Sequence, residues 1–197
     1  MSLADEAGII VQHDFMFGDQ FYRTDAAFLQ DVAAEVRDNV FRMGSHASLG
    51  VYFSNNEMAS GYSDDHQFFS AAPFYSALYF GCIAGNVSAV DPGRVFLSST
   101  PSQGNETSAV PFNRQSSVEL RGDMHFYTDA SDCWNVSLSY PRARYVTEHG
   151  FISYPSLLTL APTLSGPADY GFNKSVPASR MQHPPGQAQI TTCVESN

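Results

Sequence analysis

Residues 49–57 have the sequence LGVYFSNNE, in which a short apolar run ends in four polar residues. This pattern is typical of a strand that is buried in a parallel sheet and opens into a loop at its carboxyl end. The pattern recurs along the chain at Gly8–Val11, Val95–Leu97, Met124–Tyr127 and Arg144–Thr147. The sequence therefore predicts five strands, each with polar side chains at its carboxyl end.

Two helical segments lie between these strands. Thr24 and Asp25 are suited to cap the start of a helix, and Gly44 lies where that helix would end. A second, buried helix is predicted from Pro73 to about Ala84, with proline in its first turn. The apolar face of the first helix consists of Phe28, Leu29, Val32, Val36, Val40 and Met43.

The alternation of strands and helices predicts an α/β fold with a parallel sheet. A (β/α)8 barrel and a doubly wound sheet both place ligands at the carboxyl ends of their strands. The sequence has no Gly-rich phosphate-binding turn of the G-x-G-x-x-G or Walker type, and no G-x-S-x-G or H-E-x-x-H motif. The polar strand ends are therefore the best indication of where a site lies.

The composition argues against several classes of partner. The formal net charge is −10 at pH 7, whereas the phosphates of nucleic acid require a basic surface. No apolar run approaches the roughly 20 residues of a membrane span. The histidines are dispersed, and Cys82, Cys133 and Cys193 are widely spaced, so the sequence predicts neither a metal site nor a disulfide framework. We expect no cofactor, no nucleic acid and no membrane as partners.

The sequence is also informative about location. The first residues, MSLADE, lack the basic region and the apolar stretch of a signal peptide, so a signal would lie upstream. Four N-x-S/T triplets, at Asn86, Asn105, Asn135 and Asn173, permit an origin in the secretory pathway or the lysosome.

Two glutamates stand out because each follows an apolar strand inside a polar cluster. Glu57 follows Asn55-Asn56, and Glu148 precedes His149-Gly150. Hydrolysis of a glycosidic bond uses such a pair, in which one group protonates the leaving oxygen and the other attacks the anomeric carbon. The alternative is that both are ordinary loop residues, as most glutamates are.

Several motifs together resemble the catalytic barrel of family 2 glycoside hydrolases of the β-mannosidase type, particularly the animal lysosomal enzymes. VYFSNNE at 51–57 resembles the fourth-strand motif, and RYVTEHGF at 144–151 resembles the seventh-strand motif. Residues 5–9 and 14–17 match the strand-three region, and residues 91–99 match the strand-five region. Residues 122–127 and 131–134 match the strand-six region. The motifs occur in the family's order over roughly residues 5–160.

This resemblance implies an incomplete (β/α)8 TIM barrel comprising roughly strands three to seven. The barrel portion would cover residues 1–162, and residues 163–197 would form a loop-rich tail that leads towards the missing strand eight. An incomplete barrel leaves open sheet edges and an uncovered core. We therefore expect the fragment alone to be poorly stable and inactive.

The resemblance also implies a function and two catalytic residues. The parent protein would be a retaining exo-β-mannosidase that removes terminal β-linked mannose from glycans, without a metal. Glu57 would be the general acid/base and Glu148 the nucleophile. Asn56, beside the acid, would hydrogen-bond the sugar 2-hydroxyl, whose orientation distinguishes mannose. A lysosomal or secretory location would follow.

Four further residues are substrate-binding candidates by the same resemblance. His125 and Tyr127 would line the sugar pocket, and Tyr127 would donate a hydrogen bond towards Glu148. Trp134 is a candidate stacking platform, although a lone tryptophan is more often a core residue. Asp14 would bind a sugar hydroxyl, and a structural role for it is an equal alternative.

Some positions depart from the family pattern. The family usually has tryptophan where this chain has Gln12 and Tyr52, glycine at Ser54, and tyrosine at His149. The Asn-Glu that usually follows the acid is replaced by Met58-Ala59, and the usual proline is Ala47. The alternatives are thus a related family 2 β-galactosidase or β-glucuronidase, or a catalytically inactive protein that binds sugar.

Overall fold

The computed structural model describes residues 1–18, 20–58, 72–102, 122–128, 133–171, 175–181 and 185–195, which form a mixed α/β structure. Contacts between residues divide the chain into two compact units. The first unit contains residues 1–125 and 143–147, and the second contains residues 126–142 and 148–197. The predicted division at residue 162 stays a prediction.

The first unit contains a parallel sheet of three strands: β1, Val11–Asp14; β2, Leu49–Phe53; and β3, Val95–Leu97. Their order is β1-β2-β3, and Asp14 and Leu97 both lie opposite Phe53. The three strands therefore end at the same level, and the polar residues that follow them lie at one edge of the sheet. The strands predicted at 49–53 and 95–97 are confirmed.

The strand predicted at Gly8–Val11 is displaced towards the carboxyl end, because a short helix, α1, occupies Ser2–Ala7. Gly8 ends this helix with a φ of 67°, a left-handed conformation that glycine adopts readily. Ile9 and Ile10 are exposed instead of buried in a strand. The apolar run therefore marks the approach to β1, which begins only at Val11.

The first predicted helix is present as α2, Ala26–Met43. The carboxylate of Asp25 accepts a hydrogen bond from the backbone N–H of Phe28 at 3.3 Å, as an N-cap residue does. Gly44 lies at the C-cap position but has right-handed backbone angles. The helix buries one face, made of Val32, Val36, Val40 and Met43.

The second predicted helix is also present, and it is longer than expected. It consists of α3, Ala72–Tyr75, a π-helical stretch, Ser76–Ala84, and α4, Gly85–Val90. Together with α2 and β2 these helices form the hydrophobic core of the first unit. The largest fully buried apolar side chains of this core are Val36, Val40, Leu49, Tyr52, Tyr75, Leu78, Tyr79, Ile83 and Val87.

Two further strands, β4, Met124–Tyr127, and β5, Val146–Gly150, pair with each other. Within the first unit, the N–H of Met124 donates to the carbonyl of Tyr145 at 3.0 Å. Within the second, the N–H of Thr128 donates to the carbonyl of Gly150 at 3.2 Å. Both predicted strands are confirmed, but β5 extends to residue 150, so Glu148 lies within the strand instead of after it.

The remaining α-helices are short. They are α5, Val136–Ser139; α6, Leu157–Leu160; α7, Ser175–Arg180; and α8, Gly186–Glu195, with 3₁₀ turns at Ala161–Thr163 and Pro167–Asp169. The expectation of a loop-like tail is thus wrong for α7 and α8. These segments lack a periodic apolar face, and α8 buries only Gly186 and Cys193 among its described residues.

A disulfide joins Cys133 to Cys193, whose Cα atoms lie 5.6 Å apart. The sequence predicted no disulfide, because sixty residues separate the pair and three cysteines leave one over. The third, Cys82, is a buried free thiol. Within the described part of the chain, no helix combines the length and apolar character that crossing a bilayer requires.

Candidate active site

Glu57 and its neighbours are held by backbone hydrogen bonds at the edge where the three parallel strands end. The N–H of Asn56 donates to the carbonyl of Phe17 at 2.8 Å. The N–H of Glu57 donates to the carbonyl of Thr100 at 2.7 Å. These contacts come from the segments after β1 and β3, so Glu57 is fixed from both sides.

Glu57 has a φ of 56°, and among the described residues it is the non-glycine residue in the left-handed region. Residues with a Cβ atom adopt this conformation at a cost of about 1–3 kcal/mol, and such residues cluster at functional sites. The strained backbone makes Glu57 unlike an ordinary loop glutamate.

The turn that carries Glu57 is built on Asn55, a residue to which the sequence analysis gave no role. The Asn55 amide donates to the carbonyl of Ser98 at 2.8 Å and accepts from the hydroxyl of Ser99 at 2.7 Å. It also accepts from the N–H of Met58, on the far side of Glu57, at 3.2 Å. Asn55 is fully buried, so it ties the turn to the segment after β3. The sequence feature that could have drawn attention to Asn55 is the pair of asparagines directly before Glu57.

Asn56 has a buried side-chain oxygen, Oδ1, that has no hydrogen-bond partner within the described structure. A buried polar atom without a partner costs free energy, so it is uncommon away from sites that bind a ligand or water. The predicted sugar-binding residue next to Glu57 therefore presents an acceptor that a hydroxyl group could satisfy.

The carboxyl group of Glu57 contacts one of the predicted pocket residues. His125 Nδ1 lies 2.7 Å from Glu57 Oε1. The His125 side chain is 5% exposed, whereas that of Glu57 is 41% exposed. The imidazole is therefore a fixed partner for a carboxyl group that reaches solvent.

His125 is in turn bound to a buried polar cluster that the sequence analysis missed. Its Nε2 lies 2.9 Å from the hydroxyl of Thr100, which donates to the carboxylate of Asp123 at 2.8 Å. Thr147 donates to the same carboxylate oxygen at 2.8 Å. Asp123 and Thr147 lie within segments that resemble family motifs, but nothing in those segments indicates a contact with Thr100, so only the folded chain shows that these side chains meet.

Glu148 has a hydrogen-bond partner in the second unit. The phenol of Tyr127 donates to Glu148 Oε2 at 2.6 Å, which is the bond expected from the sequence. Gly150 is what allows this contact, since a Cβ atom there would lie 2.6 Å from the Tyr127 ring. The glycine two residues after Glu148 therefore has a steric reason.

The two other predicted residues lie at the surface. Trp134 is 72% exposed in the second unit, so it is not a core residue. Asp14 ends β1 in the first unit, opposite Phe53, and is also exposed. Their predicted roles in sugar binding stay predictions.

The chain is similar in sequence to β-mannosidases. It is 34% identical over 198 residues to β-mannosidase of Mus musculus, a match that covers 96% of this chain and 22% of that protein. It is 36% identical over 188 residues to β-mannosidase of Bos taurus, covering 92% of this chain and 21% of that protein. β-Mannosidase A of Aspergillus aculeatus is 33% identical over 208 residues, covering 96% and 22%.

The fold is likewise similar to part of a solved structure. A crystal structure of β-D-mannosidase from Dictyoglomus thermophilum matches with a TM-score of 0.76 and 22% sequence identity, over 98% of this chain and 23% of that one. No protein-family model matches the chain. The chain spans about a fifth of the length of the relatives that it matches. Over nearly its whole length, the chain is therefore similar to one part of the β-mannosidases of mammals and fungi.

Proposed function

We propose that this chain is the central part of the catalytic domain of a retaining exo-β-mannosidase. The observation that carries the proposal is the similarity to β-mannosidases over almost the whole chain, at 33–36% identity. Because the match covers about a fifth of those relatives, the activity is proposed for the full-length protein that contains this sequence. The substrate would be a terminal β-linked mannoside.

The proposed reaction proceeds by two displacements. Glu148 attacks the anomeric carbon, while Glu57 gives its proton to the departing glycosidic oxygen. A glycosyl ester on Glu148 and a free aglycone result. Glu57, now a carboxylate, then takes a proton from water as that water attacks the anomeric carbon, which releases mannose and restores both carboxyl groups. The scheme needs no metal or cofactor.

The different surroundings of the two glutamates support these roles. The phenol of Tyr127 donates to Glu148 and holds the carboxylate in one orientation, as a nucleophile requires. Glu57 contacts an imidazole and is partly open to solvent, which suits a group that exchanges a proton with substrate and water. A retaining mechanism places the two carboxyl groups about 5–5.5 Å apart across the sugar.

Asn56 supports the choice of mannose. Its buried oxygen, which has no hydrogen-bond partner among the described residues, is the acceptor that we assign to the sugar 2-hydroxyl. A site with a buried acceptor rejects a sugar that leaves this acceptor unpaired, because the desolvation cost is then not recovered. The axial 2-hydroxyl of mannose would thus be distinguished from an equatorial one.

We further propose that the described elements belong to a (β/α)8 barrel and that the protein functions in the secretory pathway or lysosome. The parallel sheet, whose strands end in polar residues at one edge, supports the barrel. The disulfide between Cys133 and Cys193 supports an oxidising compartment, since disulfides are rare in the cytosol.

A panel of aryl glycosides tests the proposal with the full-length protein. We expect hydrolysis of 4-nitrophenyl β-mannoside and much slower hydrolysis of the β-galactoside and β-glucuronide. Preference for either of the latter would identify the related enzyme class. Mannose binding without turnover of any glycoside would indicate a non-catalytic sugar-binding protein.

A further inference from the structure

Asp123, Thr100 and His125 form a continuous series of hydrogen bonds that ends on Glu57. The Asp123 Oδ2–Thr100 Oγ1, Thr100 Oγ1–His125 Nε2 and His125 Nδ1–Glu57 Oε1 distances are 2.8, 2.9 and 2.7 Å. All four residues belong to the first unit. Each contact is short enough to be a good hydrogen bond.

The direction of this series is set at Asp123. The residue is 3% exposed, and its Oδ1 accepts from the backbone N–H of Ser102 at 2.6 Å. Its Oδ2 accepts from the hydroxyls of Thr100 and Thr147, each at 2.8 Å. A carboxylate only accepts hydrogen bonds, so both threonine hydroxyls donate their protons to it.

The hydroxyl of Thr100 has a single proton, and that proton lies on the side of Asp123. Its oxygen therefore faces His125 with a lone pair, and Nε2 must carry a hydrogen to form the contact. The other ring nitrogen, Nδ1, is then directed at Glu57. The ring orientation of His125 is fixed through both of its nitrogens.

Thr100 also holds the backbone of Glu57. Its carbonyl accepts from the N–H of Glu57 at 2.7 Å, and its own N–H donates to the carbonyl of Asn55 at 3.0 Å. One residue thus supports both the strained backbone of Glu57 and, through His125, the Glu57 carboxyl group.

We propose that Thr100 and Asp123 are positioning residues that act through His125 to orient the carboxyl group of Glu57 for proton transfer to the glycosidic oxygen. This inference rests on the proposed function. Neither residue touches the substrate in this account. Residues that orient a metal-binding side chain through hydrogen bonds are typically worth about 10- to 100-fold in activity, and we expect an effect of similar size here.

The test compares three variants in the full-length protein. Thr100→Val removes the hydroxyl but keeps the shape, Thr100→Ser keeps the hydroxyl, and Thr147→Val is the matched control. Thr147 also donates to Asp123, but among the described residues its hydroxyl contacts Thr100, Asp123 and the carbonyl of Met124, and not His125. Each variant is assayed on phenyl β-mannoside and on 2,4-dinitrophenyl β-mannoside. The first leaving group needs a proton, and the second departs without one.

For Thr100→Val we expect kcat/KM on the phenyl substrate to fall roughly 10- to 100-fold, with a much smaller fall on the dinitrophenyl substrate. Thr100→Ser should keep near wild-type selectivity, and Thr147→Val should affect both substrates alike. Equal losses on both substrates for Thr100→Val would overturn the inference, because they indicate only a structural role.

A neutron crystal structure of the wild-type protein gives a second readout that does not depend on the folding of a variant. We expect hydrogen at Nε2 of His125, directed at Thr100. A bare Nε2 would overturn the inference. If the wild-type protein hydrolyses no mannoside, the proposed function fails, whereas the hydrogen positions still decide whether the series is directed as described.

Discussion

The orientation of the Glu148 carboxylate depends on the phenol of Tyr127 and on the absence of a side chain at Gly150. Tyr127 donates to Glu148, and Gly150 leaves room for the tyrosine ring. Hydrogen bonds to charged groups contribute about 1.5–3 kcal/mol. We therefore expect Tyr127→Phe in the full-length protein to lower kcat on β-mannosides roughly 10- to 100-fold, as measured by steady-state assays.

The control for this substitution is the exposed Tyr140, which tests the loss of a tyrosine hydroxyl elsewhere in the second unit. Tyr140→Phe should leave kcat unchanged. A Tyr127→Phe variant with wild-type kcat would show that the hydrogen bond seen in the structure does not assist the reaction.

His13 makes the stability of the first unit depend on pH. Burial lowers the pKa of this imidazole below its ordinary value of 6.5, and the charge of Arg42 lowers it further. Its ring packs edge-on against Phe15 and Tyr52. Below about pH 6.5 the unfolded chain binds a proton that the folded chain excludes, so stability falls as pH decreases.

We accordingly expect His13→Gln to reduce the loss of Tm between pH 7 and pH 5, measured by calorimetry on the full-length protein. Above the ordinary pKa of histidine, plots of Tm against pH for the wild type and the variant should have the same slope, even where their Tm values differ. If the wild type and His13→Gln lose the same amount of Tm between pH 7 and pH 5, the assignment of the pKa shift to His13 is contradicted.

The residues of the site were predictable to different degrees. Glu57, Glu148 and Tyr127 could be proposed from short motifs beside strands and their resemblance to a known family, because those motifs are local in sequence. Asn55, Thr100 and Asp123 were not, since their role consists of contacts between segments that only the fold brings together. The left-handed φ of Glu57 could not be predicted from the sequence either, because hydrogen bonds from other segments impose it.

Helix α2 begins at a cap whose contribution can be isolated. The carboxylate of Asp25 accepts from the N–H of Phe28 and also binds the guanidinium of Arg23 at the surface. Loss of an N-cap costs about 1 kcal/mol, whereas an exposed ion pair contributes little. We expect Asp25→Ala to speed hydrogen exchange of the first-turn amides about fivefold, as read by mass spectrometry.

Asp25→Asn separates the two contacts, because asparagine caps a helix as well as aspartate but carries no charge. Its exchange rates should stay near those of the wild type. If Asp25→Asn accelerates exchange as much as Asp25→Ala does, the ion pair with Arg23 and not the cap stabilises this turn.

Elements with a clear period were predictable, and elements without one were not. Helix α2 and strand β2 have apolar residues at the spacing of their buried faces, and their bounds agree closely with the prediction. Helix α8 has no such face. At Gly186 a Cβ atom would clash with Met181, so this position lies close to other residues, and the disulfide fixes Cys193. Tertiary contacts of this kind leave no local pattern.

At the scale of the molecule, the described residues leave substantial apolar surface exposed. Phe41, Leu158, Leu3 and Met16 are among the large apolar side chains that are about four-fifths exposed or more, with values from 79% to 87%. Within the described structure, β1 and β3 also each have one neighbouring strand only. Such surfaces and sheet edges favour association with other chains.

For this reason we expect residues 1–197, expressed alone, to show no turnover of 4-nitrophenyl β-mannoside and to aggregate or melt without a single cooperative transition. Activity assays and calorimetry check this, with the full-length protein as the reference. A cooperative two-state melt together with turnover from residues 1–197 would contradict it.

Covalent labelling tests the central claim, that Glu57 and Glu148 are the catalytic pair, most directly. The full-length protein is treated with 2-deoxy-2-fluoro-β-mannosyl fluoride. The fluorine at C2 slows both displacements, whereas the anomeric fluoride is a good leaving group, so the glycosyl-enzyme forms and accumulates. We predict one adduct, located on Glu148 by peptide mass spectrometry. We also predict that, when the reagent has a poorer leaving group than fluoride, this adduct forms more slowly in the Glu57→Gln variant than in the wild type. Attachment to another residue, or inactivation without an adduct, would contradict the account.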